Sequence, residues 1–291
     1  MNLQLFTMID GISEVADQYR GLIVDLWGVL HNGEVAFPDA ISALDALRSN
    51  GLDICLLSNA PRRARQVAER LTSMGIGSSQ YNHLITSGEL VYEALEHAPD
   101  QWHAALGRRY LHLGPCDLRG LLSGSNRLEV FLPGNADFIL NTGASGQQEI
   151  DEAAELLKEW AVRKLPMICA NPDLVVLVGN RLVICAGTLA EQYEALGGDV
   201  RYHGKPYSSA YRRALDLLGH ERHEVLAVGD SLRTDVAGAR NEGMDVVFIA
   251  SGIHRADAGN LDAGKFSLEQ LQQLLVGKPV IPTYVASHFR W

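Results

Sequence analysis

Three short apolar runs in this chain each end on a polar residue: Gly21 to Val24 leads into Asp25, Ile54 to Leu57 into Ser58 and Asn59, and Val225 to Val228 into Gly229 and Asp230. Runs of this length and purity read as strands buried on both faces, and a polar residue just past such a strand stands at its carboxyl end. Between the runs the period changes. Ala40 to Leu47 repeats at helical spacing and is stopped by Gly51, while Pro61 to Met74 sets Val67, Leu71 and Met74 on one face before Gly75. Later, Tyr211, Ala214, Leu215 and Leu218 make a stripe closed by Gly219, Val236 to Asn241 reads as a helix, and Val246 to Ile249 as a further strand. Strands alternating with helices imply a parallel sheet covered on both faces, so the predicted class is α/β with a Rossmann-like core.

That alternation is interrupted by a long insertion with its own strand signals at Tyr110 to Leu113, Phe138 to Leu140, Pro166 to Cys169 and Leu182 to Ile184, and a helix from Ile150 to Trp160. An insertion of that size with its own apolar periodicity predicts a second domain, bounded near Glu89 and Gly198. The expected organisation is a first core part at 1–88, an inserted α/β domain at 89–198, and a second core part with a tail at 199–291. Two ends remain. Met1 to Gly21 reads as a helix, unlike a signal peptide. Pro279 to Trp291 follows a last helix, Ser267 to Leu275, and carries Tyr284, Phe289 and Trp291. Three aromatics in a chain end predict a tail docked on the protein's own surface or on a second subunit, a possible homodimer.

The 291 residues, 47% hydrophobic and 21% charged, suffice for more than one core. A formal net charge of −10 argues against a nucleic-acid backbone or an anionic membrane as partner, since both require clustered Lys and Arg. With no apolar stretch long enough to span a bilayer, a cytoplasmic protein is expected. Cys55, Cys116, Cys169 and Cys185 show no CxxC pairing, and three of them lie in apolar runs, which predicts buried reduced thiols.

The polar residues at the strand ends carry the chemistry. Asp25 is either a turn-former or a carboxylate projecting into a cleft, and Asp230 with Asp235 favours the second reading. Clustered carboxylates repel unless a cation holds them, and an oxygen-rich site of this kind suits Mg²⁺. Ser58 and Asn59 precede a helix, where a hydroxyl and free N–H groups favour an anion, although Asn59 also reads as a plain N-cap. Lys205, in a turn between Gly204 and Pro206, offers an ammonium that could neutralise an anion, a signal that is weak in isolation and gains weight only in register with the other segments.

Taken in order, Val24-Asp25-Leu26-Trp27-Gly28-Val29, Leu57-Ser58-Asn59, Gly204-Lys205-Pro206 and Gly229-Asp230-Ser231-Leu232-Arg233-Thr234-Asp235 resemble the four motifs of the haloacid dehalogenase-like superfamily. Gly28-Val29-Leu30-His31-Asn32-Gly33, Ile85-Thr86-Ser87, Asp137-Phe138-Ile139-Leu140, Ala170-Asn171-Pro172-Asp173 and Ser251-Gly252 narrow the resemblance to its class IIA branch, which includes pyridoxal phosphate, phosphoglycolate and nitrophenyl phosphatases. The resemblance spans nearly the whole chain and makes the insertion a C2 cap. It implies a Mg²⁺-dependent phosphatase acting on a small phosphorylated metabolite through an aspartyl phosphate. In that scheme Asp25 is the nucleophile and a Mg²⁺ ligand, the Trp27 backbone carbonyl and Asp230 are further ligands, and Asp235 is a weaker or more distant one. Lys205, Ser58 and Asn59 serve the phosphate, with Asn171 over the cleft on a cap loop, where an ordinary Asn-Pro-Asp turn is the competing reading.

One position departs from the pattern. The phosphatases carry a second Asp two residues after the first, as proton donor to the leaving oxygen and later activator of water; here that position is Trp27. Indole has one N–H donor and does not exchange protons at neutral pH. His31 is a candidate substitute, set against its reading as a loop histidine facing solvent or the cap. Dehalogenases of the superfamily carry an aromatic residue at this position, so a dehalogenase-type hydrolase and a catalytically weak Mg²⁺- and phosphate-binding protein stand as alternatives.

Overall fold

The structure is a computed structural model that describes residues 6–144, 146–178, 181–254 and 268–291. The chain opens with β1 (Thr7–Met8), β2 (Gly21–Val24), β3 (Asp53–Ser58) and β4 (His83–Thr86). It continues through β5 (Arg109–Leu113), β6 (Leu128–Glu129), β7 (Phe138–Asn141), β8 (Met167–Cys169), β9 (Val175–Val178), β10 (Arg181–Ile184) and β11 (Val200–Tyr202), and closes with β12 (Val225–Gly229), β13 (Asp245–Ile249) and β14 (Tyr284–Ala286).

Seven of these form a fully parallel sheet in the order β1-β14-β13-β12-β2-β3-β4. Its central strands are buried on both faces, and the period-2 alternation sorts them. Leu22, Val24, Ile54, Leu56, Leu226 and Val228 face Ala40, Ala43, Leu44 and Leu47 of the helix Pro38–Ser49. Ile23, Cys55, Leu57, Val225 and Ala227 face Ala210, Tyr211, Ala214 and Leu218 of the helix Ser208–Leu218. Helices on both faces are what a parallel sheet of Val, Ile and Leu requires. All carboxyl ends therefore lie along one edge, with the order reversing across β2, which is where ligands bind in open α/β sheets.

The insertion folds as a C2 cap around a second parallel sheet, ordered β11-β8-β7-β5-β6, with helices Gln147–Val162 and Ala186–Ala195 on one face. Its other face takes Val91 and Leu95 of the helix Ser87–His97, which also gives Leu90 to the core cluster and so ties the two sheets together. An antiparallel hairpin, β9 and β10, completes the cap.

Three expectations are corrected. Over its described residues, from Phe6, the N-terminal segment is not a helix: it contributes edge strand β1 and two single turns, Ile12–Glu14 and Ala16–Gln18, the first five residues lying outside the described ones. Ile12, Val15, Ala16 and Tyr19 have helical spacing, yet the turns alone bury all four. The helix expected from Pro61 starts only at Ala64, because Arg63 is still extended. The aromatic tail does more than dock on a surface. Tyr284–Ala286 is inserted between β1 and β13, and Phe289 is buried in the core. Cys55, Cys169 and Cys185 are buried free thiols as expected, while Cys116 is exposed; burial pushes Cys55 and Cys169 up to about 12. Among the described residues no helix is long and apolar enough to cross a membrane.

Candidate active site

The two central strands of the core sheet end side by side, β2 running into Asp25 and β12 into Asp230. The Asp25 N–H extends the ladder by donating to the Val228 carbonyl at 2.9 Å, which fixes where its carboxylate emerges. After β12 the chain makes a wide turn, Leu232–Val236, that carries Asp235 back under the same edge; the Ser231 N–H donates to Asp235 Oδ2 at 3.1 Å. Beneath it, the buried Tyr211 hydroxyl donates to the Asp235 carbonyl at 3.0 Å.

Lys205 enters from the other side, on the segment that returns from the cap. Its ammonium donates to Asp25 Oδ1 at 2.5 Å and Asp235 Oδ1 at 2.7 Å, and all three residues are buried. Asn59 fixes the Lys205 backbone: Oδ1 accepts the Lys205 N–H at 2.7 Å, while Nδ2 donates to the Lys205 carbonyl at 3.0 Å and to Asp173 Oδ1 at 2.9 Å. Asn59 is thus no N-cap, the following helix being capped at Arg63. Ser58 is buried at the end of β3, where its Oγ accepts the Ala60 N–H at 3.2 Å. Asn171 lines the cleft from the cap, and its Oδ1 accepts the Asp173 N–H at 2.9 Å, the bond that defines an Asn-Pro-Asp turn.

Asp230 lies between two glycine backbones. A Cβ at Gly28 would fall 1.9 Å from its Oδ2 and one at Gly252 2.0 Å from the same atom, while the Ile253 N–H donates to Oδ2 at 2.7 Å. Gly28 also has φ +75°, so glycine is required there twice over. The Ile253 amide and the Tyr211 hydroxyl were not foreseen from the sequence. The signal for the first was present, because Ser251-Gly252 follows an apolar run just as the other site residues do.

Three buried carboxylates face a single ammonium, an excess of acidic groups that burial disfavours. Burial, and then the neighbouring Asp25 and Asp235, push Asp230 well above the usual carboxylate range. Burial likewise raises Asp25 to about 7, against the pull of Lys205. Burial would lower the Lys205 ammonium, but Asp235 and Asp25 outweigh it and keep the group protonated. Asp25, Asp230 and Asp235 present oxygens within 4.8 Å of one another. An all-oxygen donor set with surplus negative charge fits a hard divalent cation.

The cleft, a cavity of about 1360 Å³, runs from this cluster to the cap hairpin. Its lining is mixed: Trp27, Phe37, Val67 and Leu71 from the core and Leu174 to Leu177 from the cap are apolar, while Asn32, Glu34, Arg62, Arg70 and Arg233 are polar or charged.

Family profiles described as haloacid dehalogenase-like hydrolase match residues 22–126 and 125–243. A hydrolase of the haloacid dehalogenase-like family from Brucella suis 1330 superposes with TM-score 0.80 at 30% identity, covering 97% of this chain and all of the other. The chain belongs to the haloacid dehalogenase-like hydrolases. Among curated relatives, the ribonucleotide monophosphatase NagD of Escherichia coli K12 is 25% identical over 82% of this chain and 90% of its own length. The acid sugar phosphatase of Staphylococcus aureus USA300 is 25% identical over 81% and 88%. With its C2 cap the chain is a class IIA member, a phosphatase-like hydrolase whose relatives act on phosphorylated compounds.

Trp27 stands where the resemblance read from the sequence expects a second Asp. Its ring lies flush on Gly33, where a Cβ would come within 2.2 Å of the indole, and meets the His31 ring edge-on at 5.1 Å between centroids. His31 is buried rather than facing solvent or the cap, and its Nδ1 accepts the Gly33 N–H at 3.0 Å. Burial, with Arg70 acting in the same sense, lowers it to about 4, so it is neutral at pH 7.

Proposed function

We propose that the protein is a Mg²⁺-dependent phosphatase-like hydrolase of a small phosphorylated metabolite, with Asp25 as the nucleophile. The observation that carries this reading is the Asp25–Lys205–Asp235 bridge beside Asp230, at the sheet edge where α/β folds bind ligands. Asp25, Asp230 and the Trp27 carbonyl would hold the ion, with Asp235 as a weaker or more distant ligand. When bound, the cation would neutralise charge on the transferring phosphoryl group.

The rest falls to the chain itself. Lys205 holds the Asp25 carboxylate in one orientation and supplies positive charge where phosphate oxygens must sit. Asn59 locks the Lys205 backbone and, through Asp173, couples it to the cap, taken as residues 89–198. Ser58, Asn59 and Asn171 lie in the cleft walls, placed to receive the phosphate and the organic moiety above it. A dehalogenase-type reading is weakened by Asp230 and Asp235 beside Asp25, since displacing halide from carbon needs one carboxylate nucleophile and no cation.

The test is release of phosphate and of halide from substrate panels with and without Mg²⁺, repeated with Asp25→Asn. Mg²⁺-dependent phosphate release abolished in the variant supports the reading; an undiminished rate with an activated aryl phosphate would show that another group does the chemistry.

A further inference from the structure

A ring of contacts closes through the Lys205 ammonium. Nζ of Lys205 donates to Asp235 at 2.7 Å, and the Lys205 backbone is held on both sides by Asn59, whose Nδ2 also reaches Asp173 Oδ1 at 2.9 Å. Asp173 ends the cap turn Asn171-Pro172-Asp173. From the core, Arg233 completes the ring, because it lies on the same wide turn, Leu232–Val236, as Asp235. Its Nη1 donates to the Pro172 carbonyl at 2.7 Å and its Nη2 to Glu191 Oε1 at 2.5 Å, on the cap helix Ala186–Ala195.

The cap turn is seated on that same helix. The Gly187 N–H donates to the Asp173 carbonyl at 3.1 Å, and a Cβ at Gly187 would fall 2.4 Å from the Pro172 carbonyl oxygen, the atom that Arg233 takes. On its other side the Pro172 ring packs against the Lys205 segment, where a Cβ at Gly204 would come 3.2 Å from Cδ. The turn is thus wedged between a cap helix and the strand end that delivers Lys205, and Arg233 joins it to the turn bearing Asp235. A second ion pair between core and cap, Arg213 with Glu93 at 3.1 Å, does not line the cleft and shares no hydrogen bond with the ring.

Resting on the phosphatase reading above, we infer that Arg233 is a positioning residue: it fixes the cap turn to the Asp235 turn, so that Asn59 and Asp235 hold the Lys205 ammonium from both ends against Asp25. It acts on the rate through Lys205, without touching the phosphoryl group. Removing it takes a charge-assisted donor from the Pro172 carbonyl and leaves Asp173 and Asn59 braced from one side only. A misplacement of about 1 Å at reacting groups costs about 10²-fold.

The test is Arg233→Ala in the full chain, assayed with Mg²⁺ and 4-nitrophenyl phosphate at a temperature where the variant is fully folded, so that lost stability does not register. kcat should fall about 10- to 100-fold with KM nearly unchanged. Exchange of the Asp173 and Gly187 amide hydrogens should quicken at least about tenfold. Asp173→Ala should lower kcat likewise, and the double variant should be little slower than the slower single one, because both changes open the same ring. Arg213→Ala should leave kcat and these amides as they are, since a general clamp between core and cap is not what sets the rate. Should Arg233→Ala fail to fold, Arg233→Lys, whose one ammonium cannot span both acceptors, carries the same comparison. A raised KM at native kcat would make Arg233 a substrate contact and overturn the inference; native kinetics in the folded variant, or single losses that multiply in the double variant, would overturn it too. If the native protein releases no phosphate, the phosphatase reading fails by itself, and amide exchange still decides whether Arg233 seats the turn: unchanged exchange shows that it does not.

Discussion

Replacing Phe289 with Ala empties a buried site in the core cluster, since the ring is 2% exposed and shares that cluster with Ile9, Ile12, Leu26 and Val29. Truncating a buried Phe costs about 3–5 kcal/mol through lost transfer energy and the cavity left behind. Against a total stability of about 5–15 kcal/mol, that is a large share. At about 2–4 °C per kcal/mol for domains of this size, the melting temperature should fall by about 6–20 °C. The assay is a thermal melt followed by circular dichroism, with Val276→Ala as control. Val276 is 73% exposed, so its loss should stay within about 0.5 kcal/mol. Activity should be lost with the same transition, because the Ala250 and Ser251 N–H groups donate to the Ala286 and Ser287 carbonyls, anchoring the loop whose Gly252 and Ile253 hold Asp230. A Phe289→Ala protein melting within about 2 °C of the native one would refute the placement of the tail in the core.

The tail also shows where sequence reading reaches its limit. β2, β3, β12 and β13 are legible because each is an apolar run long enough to declare itself and buried on both faces. β1, β6 and β14 are two or three residues long and exist only through pairing; Thr7 meets Tyr284 across almost the entire chain. No local period encodes such a contact, so the aromatics of the tail signalled burial without disclosing a strand. The N-terminal segment failed for the opposite reason: its spacing was helical, but long-range packing broke it into single turns. At the site, Asp25, Ser58, Asn59 and Asp230 were visible as strand-end residues, and the structure brings Lys205 and Asp235 to them. The bracing of Lys205 by Asn59 joins residues 146 apart, and the burial of His31 depends on how Trp27 lies on Gly33; neither leaves a trace in composition or spacing.

The same geometry sets two further expectations. Asp230→Asn should weaken Mg²⁺ binding at least about tenfold by calorimetry and raise the melting temperature of the metal-free protein, because it removes a charge that burial, Asp25 and Asp235 all oppose; unchanged Mg²⁺ affinity would remove Asp230 from the ligand set. The second concerns acid. His203, on the segment between β11 and Lys205, is buried with its Nε2 3.2 Å from Nε2 of His103, whose Nδ1 lies 2.8 Å from Asp100 Oδ1. One of the two facing nitrogens must accept, so a second proton has no place there; burial, then His103, lower His203 to about 3. In the unfolded chain the same imidazole titrates near 6.5, so the unfolded state takes up the proton first. The contribution of His203 to stability is therefore complete above about pH 6.5, declines as pH falls below that value, and is exhausted near the folded value. Between pH 7.5 and 5.5 the loss is about 1.4 kcal/mol. Urea unfolding of the native protein and His203→Gln at both pH values isolates it, since other groups cancel in the difference. The native protein should lose about 1.4 kcal/mol more than the variant, and equal losses would show that His203 accepts its proton in the folded state.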